Sequence, residues 1–213
     1  MVVAIDGPSG VGKSTVSRAV AIALNLAYLD TGSTYRAATL AVLNADVDIG
    51  DGQAVLEVVR SLSIDYGTEG VLLDGVSVAQ EVRTDRVTSK VSTVSAHPEV
   101  RAEIVAVQRA WVARHGGDAV VEGRDIGTVV FPDTRNKIYL TARQDVRAAR
   151  RARDDEAREA SVAEIAAALQ ARDEADSTRK ASPLRPASDA TIIDTSDIGI
   201  EQVVEAVLDT MKS

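Results

Sequence analysis

The chain opens on an unbroken apolar run, Val2-Val3-Ala4-Ile5, and then changes to a repeat in which Val16, Ala19, Val20, Ala23 and Leu24 return to one side. The first pattern predicts a buried strand and the second an amphipathic helix. Leu26 to Leu29 reads as another short strand, Asp30-Thr31-Gly32-Ser33 as a turn and cap, and the stretch through Tyr35 and Arg36 toward Leu43 as a helix. Repeated strand and helix is the pattern of a parallel, helix-covered sheet. From Ser63 to Val82 the period shortens to alternating pieces, Ile64-Asp65-Tyr66 and Val71-Leu72-Leu73, punctuated by Gly67, Gly70 and Gly75. That predicts a small antiparallel excursion. Glu81 to Ser95, rich in Val, Ser and Thr, leads to His97-Pro98 and a helix from Glu99 to Trp111. Three further strands are expected at Ala119 to Val121, Lys137 to Leu140 and Ala190 to Ile193, with helices over Val162 to Glu174 and Ile200 to Met211.

Between the first strand and helix stands Gly7-Pro8-Ser9-Gly10-Val11-Gly12-Lys13-Ser14-Thr15. Glycines in a strand-turn-helix let several backbone N–H groups converge on a polyphosphate at a helix N-terminus. Lys13 adds a point charge on the β- and γ-phosphates, and the Ser14 hydroxyl is placed to complete the shell of a Mg2+ ion that keeps most of its waters. The expectation is a nucleoside triphosphate site.

At 213 residues the chain suits one α/β domain, 1–213. A net charge of -8 argues against non-specific nucleic-acid or acidic-membrane binding, which demands a basic surface. The absence of cysteine excludes disulfides and thiolate chemistry, and His97 and His115 each stand without a second metal ligand nearby. With no basic leader and no membrane-length apolar stretch, a cytoplasmic protein is expected. A monomer is the expected state, although nothing in the residues fixes it. Arginine far outnumbers lysine, which fits a site gripping several phosphates; a GC-rich genome gives the same bias.

Loops at the carboxyl ends of parallel strands form the ligand crevice, so Asp30, Thr31, Tyr35 and Arg36 are candidates, as is Glu122-Gly123-Arg124-Asp125-Ile126-Gly127-Thr128 after the third strand. Arg36 also reads as a solvated helix residue. Arg101 falls in the first turn of its helix, where it opposes the dipole, which points to a ligand. Asp145 to Glu159 carries Arg147, Arg150, Arg151, Arg153 and Arg158 among acids, equally readable as a solvated helix laced with ion pairs. Arg172, Asp176 and Arg179 fall on one helical stripe, in the weaker order for self-pairing.

Taken in order, GPSGVGKST from Gly7, LDTGSTYR from Leu29, EVRT from Glu81, EGRDIGTVVFPD from Glu122, RDEADSTR from Arg172 and SPLRPASDA from Ser182 resemble the bacterial cytidylate kinases of the nucleoside monophosphate kinase group. The resemblance spans essentially the whole chain. It implies a parallel-sheet P-loop kinase core with helices on both faces, a monophosphate-binding region (31–101) with an antiparallel insert near 63–82, and a short arginine-rich lid (147–161). Residue by residue, Arg36 and Arg124 are similar to clamps on the acceptor phosphate, with Arg179 near them. Ser92, Arg101 and Asp125 are similar to the readers of cytosine, and Tyr35, Arg172 and Asp176 to residues around the ribose. Thr31 stands where the family often has serine, keeping the hydroxyl and adding a methyl. Lid arginines such as Arg150 or Arg153 would close over the transferring group. The implied reaction moves the γ-phosphoryl group of ATP to CMP or dCMP, with Mg2+. A carboxylate with arginine and serine suits the amino donor and the acceptors of cytosine. The rivals are a P-loop kinase with another acceptor, such as UMP or dTMP, and a nucleotide switch. The latter needs N-K-x-D, and Asn136-Lys137-Ile138-Tyr139 lacks the acid.

Overall fold

The structure, a computed structural model, describes residues 1–67, 70–154 and 161–211. In chain order the elements are β1 (Val2–Asp6), α1 (Lys13–Leu24), β2 (Ala27–Asp30), α2 (Thr31–Asn44), α3 (Gly52–Arg60), β3 (Ile64–Gly67), β4 (Gly70–Leu73), β5 (Val76–Ser77), α4 (Asp85–Thr88), α5 (Val91–Val94), α6 (Pro98–Arg114), β6 (Ala119–Gly123), β7 (Asn136–Thr141), α7 (Gln144–Asp154), α8 (Val162–Thr178), β8 (Thr191–Asp194) and α9 (Ile200–Asp209). A five-stranded sheet runs in the order β2-β6-β1-β7-β8, and β3, β4 and β5 form a separate three-stranded sheet. β1 lies parallel to both β6 and β7, and β7 parallel to β8. The small sheet is antiparallel throughout. Its register pairs Gly67 with Gly70, so the hairpin expected from the alternating pattern is present, with 68–69 outside the described residues.

Two compact units divide the chain, Met1–Leu29 with Gly117–Ser213, and Asp30–Gly116. Each has its own core. In the first, Val3, Ile5, Val120, Ile138 and Leu140 from the strands pack with Val16 and Val20 of α1 and Val203 and Val207 of α9. Neighbouring parallel strands bury both faces, hence their continuous apolar runs. In the second unit, Ala37, Leu40 and Val42 of α2 join Val55, Leu56 and Val59 of α3, Ile64 and Val71 of the small sheet, and Ile104 of α6.

Several local expectations shift. Thr31 to Ser33 is not a turn: the Asp30 carboxylate accepts the N–H of Ser33 at 3.0 Å, capping the helix so that α2 begins at Thr31. α3 was not foreseen, although Asp51 caps it by accepting from the N–H groups of Gln53 and Ala54. β6 runs two residues beyond Val121 and so includes Glu122 and Gly123. α8 continues through Asp176 to Thr178 and starts in a capping box, with Ser161 and Glu164 satisfying each other's backbone N–H. Residues 155–160 of the expected lid, Arg158 among them, lie outside the described residues. Among the described residues no helix is long and apolar enough to cross a membrane.

Candidate active site

β1 ends on a buried carboxylate and delivers the chain into the glycine-rich loop. Gly7 is obligatory there: its φ is 150°, and a Cβ would meet the Leu140 carbonyl oxygen at 2.3 Å. The loop ends on Gly12, at φ 90°, which caps α1 without a side-chain hydrogen bond. The first N–H groups of α1 are therefore not taken by a cap, the arrangement that receives an anion.

Lys13 opens that helix with its Nζ donating to the Pro8 carbonyl at 2.6 Å. Burial, with the Arg124 charge adding to it against the pull of Glu122, lowers its pKa from 10.5 to about 7. The Ser14 hydroxyl donates to Glu122 at 2.7 Å, and the Tyr28 hydroxyl reaches the same oxygen at 2.9 Å. Glu122 is 3% exposed and sits next to Gly123 at the carboxyl end of β6. A hydroxyl beside a buried carboxylate is an oxygen set that suits a hard cation retaining its own water. Asp6, at the end of β1, accepts the N–H groups of Ile126 and Gly127 at 2.9 and 2.8 Å. Burial nonetheless pushes its pKa up from 3.8 to about 6. These two bonds fix the turn that follows Arg124 and Asp125.

Within the same unit Arg124 is held at three points. Its Nε pairs with Asp176 at 2.9 Å, and its terminal nitrogens donate to the Gly7 carbonyl at 2.7 Å and the Ser9 hydroxyl at 2.5 Å. Arg179, at the end of α8, pairs with the other oxygen of Asp176 at 3.3 Å and donates to the Ser182 carbonyl. Burial alone would raise the Asp176 pKa, but Arg124 and Arg179 outweigh it and hold it below the usual carboxylate range. The Arg172 charge acts on Asp176 and on Lys13 alike. Asp125 is buried beside Arg124, its carbonyl accepting from Val129 and Val130 in a wide helical turn over Ile126–Val130.

α7 supplies the arginines. Arg150 donates to the Thr195 hydroxyl at 2.8 Å and the Thr195 carbonyl at 2.5 Å, while Thr195 in turn bonds the Val11 carbonyl of the loop. Arg150 and Arg153 line an open cavity of about 330 Å3 with Asp145, Val146, Ala149 and Ser196. Arg147 pairs with Asp173 and donates to the Ser9 carbonyl at 3.0 Å. Arg147 and Arg150 of the arginine run thus reach other parts of the chain, Asp173 and Thr195.

In the second unit Arg36 pairs with Asp30 at 2.9 Å, and Thr31 and Tyr35 are buried on α2. Arg101, 3% exposed, lies with its guanidinium 5.0 Å from the centre of the Tyr35 ring and donates to the Ser95 carbonyl. Ser92 is half-buried on α5, its carbonyl accepting from the Ser95 hydroxyl at 3.2 Å. Tyr66 of β3 donates to the Asp30 carbonyl at 2.9 Å and meets the Ser33 and Thr34 hydroxyls, tying the small sheet to the start of α2. Both histidines bond backbone carbonyls, and among the described residues no cluster of three metal-ligating side chains occurs.

Asp6 is a polar member of the site that the motif reading did not single out; its place at a strand end beside the glycine-rich loop was the available signal. Glu122, Arg147 and Asp173 stood inside runs already singled out, the stretch from Glu122, the arginine-rich run and RDEADSTR, but without a role of their own.

The sheet order, the glycine-rich loop and its half-buried lysine define a P-loop kinase. The family model described as cytidylate kinase matches residues 3–213, and the chain belongs to that family. The cytidylate kinase of Rhodococcus opacus is 50% identical over 214 residues, covering 98% of this chain and 93% of the relative. That of Corynebacterium efficiens is 53% identical over 210 residues, covering 96% and 91%. Among solved structures, an uncharacterized protein from Eubacterium ventriosum shares the fold at a TM-score of 0.56 with 10% identity, over 100% of this chain and 99% of that one.

Proposed function

We propose that the chain transfers the γ-phosphoryl group of ATP to CMP or dCMP, giving ADP and CDP or dCDP. The family match over residues 3–213 carries this reading, and the donor loop supplies the chemistry. The acceptor oxygen is already anionic, so no general base is required. Catalysis is positioning and charge neutralisation. Backbone N–H groups within the loop Gly7 to Thr15 and the amine of Lys13 hold the donor phosphates. Arg36 and Arg124 aim the acceptor phosphate with Arg179, while Ser92, Arg101 and Asp125 read the base and Tyr35, Arg172 and Asp176 the ribose. Thr31 contributes its hydroxyl at the phosphate end.

Ser14 and Glu122 would hold Mg2+ through its waters, and the ion supplies charge neutralisation on the β- and γ-oxygens when bound. In this proposal 31–101 serves the monophosphate, with the insert near 63–82. The lid of 147–161 brings Arg150 and Arg153 toward the donor and excludes water, without which ATP would be hydrolysed. The reading includes action as a monomer, which light scattering of the purified chain tests.

The experiment is ATP- and magnesium-dependent ADP formation against CMP, dCMP, UMP, AMP, dTMP and no acceptor. Turnover with CMP and dCMP at least tenfold above the others is expected, because uracil presents a buried acceptor to the Asp125 carboxylate. A preference for another monophosphate would overturn the base-reading roles, and hydrolysis without an acceptor would overturn the transferase reading.

A further inference from the structure

Ser9 belongs to the donor loop, yet each of its polar groups is bound to a residue from elsewhere in its unit. Its N–H donates to Asp173 at 2.9 Å, its carbonyl accepts from Arg147 at 3.0 Å, and its hydroxyl accepts from Arg124 at 2.5 Å. Asp173 and Arg147 also pair with each other, closing a ring of α7, α8 and the loop about a residue only 7% exposed. Arg124 has one partner on each nitrogen, two of them, the Gly7 carbonyl and the Ser9 hydroxyl, in the donor loop and the third Asp176. The Ser9 hydroxyl is the one of these three that a substitution removes without altering backbone or net charge.

We propose that Ser9 is a positioning residue for the acceptor: through its hydroxyl it sets the Arg124 guanidinium before the monophosphate arrives, and so links the donor loop to acceptor affinity. The inference rests on the reading of Arg124 as a clamp on the acceptor phosphate. An arginine fork aims at a phosphate only if its plane is fixed. Asp176 holds the Nε edge, and a plane held along one edge still pivots. Ser9 and Gly7 hold the far edge. Because Ser9 and Gly7 are part of the loop that receives ATP, any shift of that loop on binding is passed to Arg124 through its hydrogen bonds to the Ser9 hydroxyl and the Gly7 carbonyl, so the two substrates are linked reciprocally.

The test is a double-mutant cycle on equilibrium binding of CMP, with binding of a non-hydrolysable ATP analogue measured in parallel by calorimetry. Ser9→Ala should weaken CMP binding roughly tenfold, the loss of one charge-assisted hydrogen bond. Its affinity for the ATP analogue should stay within about threefold of the parent, because the hydroxyl of Ser9 takes no part in the N–H cradle. In an Arg124→Met background the same substitution should cost less than about twofold, since Ser9 then has nothing to position. Should Arg124→Met not fold, Arg124→Lys, which keeps the charge and loses the fork, takes its place in the cycle. Full additivity of the two substitutions would overturn the proposal. So would equal losses for CMP and the ATP analogue, which would make Ser9 a structural member of the loop alone. A parent chain that binds the ATP analogue but not CMP would overturn the functional reading together with this inference, whereas additivity with CMP bound would overturn the inference alone.

Discussion

Gly7 and Lys13 show how little latitude single positions leave in the donor loop. At Gly7 a methyl group would sit 2.3 Å from a carbonyl oxygen of β7, on backbone already at φ 150°, so Gly7→Ala must displace the loop from the strand beside it. ATP affinity should fall at least tenfold and the chain should lose roughly 1–3 kcal/mol, read by analogue binding and by urea unfolding. Unchanged binding would mean that the loop accepts ligand in another conformation. Lys13→Ala should abolish turnover while leaving the fold, because the amine supplies charge to the donor phosphates; a variant with near-full activity would remove it from the mechanism. Asp125→Asn should cost CMP far more than UMP in kcat/KM, since a carboxamide can turn its N–H toward an acceptor on uracil. Equal losses would show that Asp125 does not read the base. Glycines, lysine and the Arg124-Asp125 pair were legible because each stands in a motif with a fixed spacing. Glu122 and Asp173 lie in such motifs too, but their roles were not legible, because what defines them is a partner far along the chain: Ser14 and Glu122 are 108 residues apart, and Ser9 and Asp173 164.

At the scale of elements, what could be read depended on whether an apolar period survived. The core strands were evident from runs such as Ala119 to Val121, buried on both faces. The antiparallel hairpin was evident from alternation between glycines. α3 carries a signal, Val55, Leu56 and Val59 behind an Asp51 cap, but it lies outside the motifs and the expected elements. α4 and α5 are four residues each, too short for any period to show. The small sheet has a purpose that its sequence does not announce. Tyr66 brings its hydroxyl to Asp30, Ser33 and Thr34, the residues that start α2, and its ring meets Trp111 edge-on at 5.6 Å. Tyr66→Phe keeps the ring and the packing but removes a hydroxyl on which three groups converge. It should destabilise the chain by about 1–2 kcal/mol, measured by thermal unfolding. Trp111 is the single tryptophan, so its emission reports whether the ring stays in place. A melting point equal to that of the parent would mean that water replaces the hydroxyl at no cost.

For the molecule as a whole, the donor loop and the strand end before it make two opposing contributions to stability. Asp6, pushed up to about 6, keeps its proton in the folded state where the unfolded chain, with the ordinary 3.8, has released it. Stability from this group therefore falls as pH rises from about 4 to about 6, by about 3 kcal/mol in all. Lys13, lowered from 10.5 to about 7, has lost its proton in the folded state where the unfolded chain still holds one, so its contribution rises with pH between about 7 and 10.5. The two together are least favourable between pH 6 and 7, where Asp6 is ionising and Lys13 still charged. Both shifts have burial as their leading cause, and a polyphosphate with its metal reverses the second by giving Lys13 a negative partner. The expected result, from urea unfolding between pH 4.5 and 9.5, is a parent curve that differs from Asp6→Asn by a descending limb below pH 6 and from Lys13→Met by a rising limb above pH 7. Saturating ATP analogue with magnesium should abolish the rising limb and add stability at neutral pH in proportion to its affinity. Parallel curves for parent and Lys13→Met would show that the amine is charged in both states, and that the loop does not hold a strained cation in readiness for its ligand.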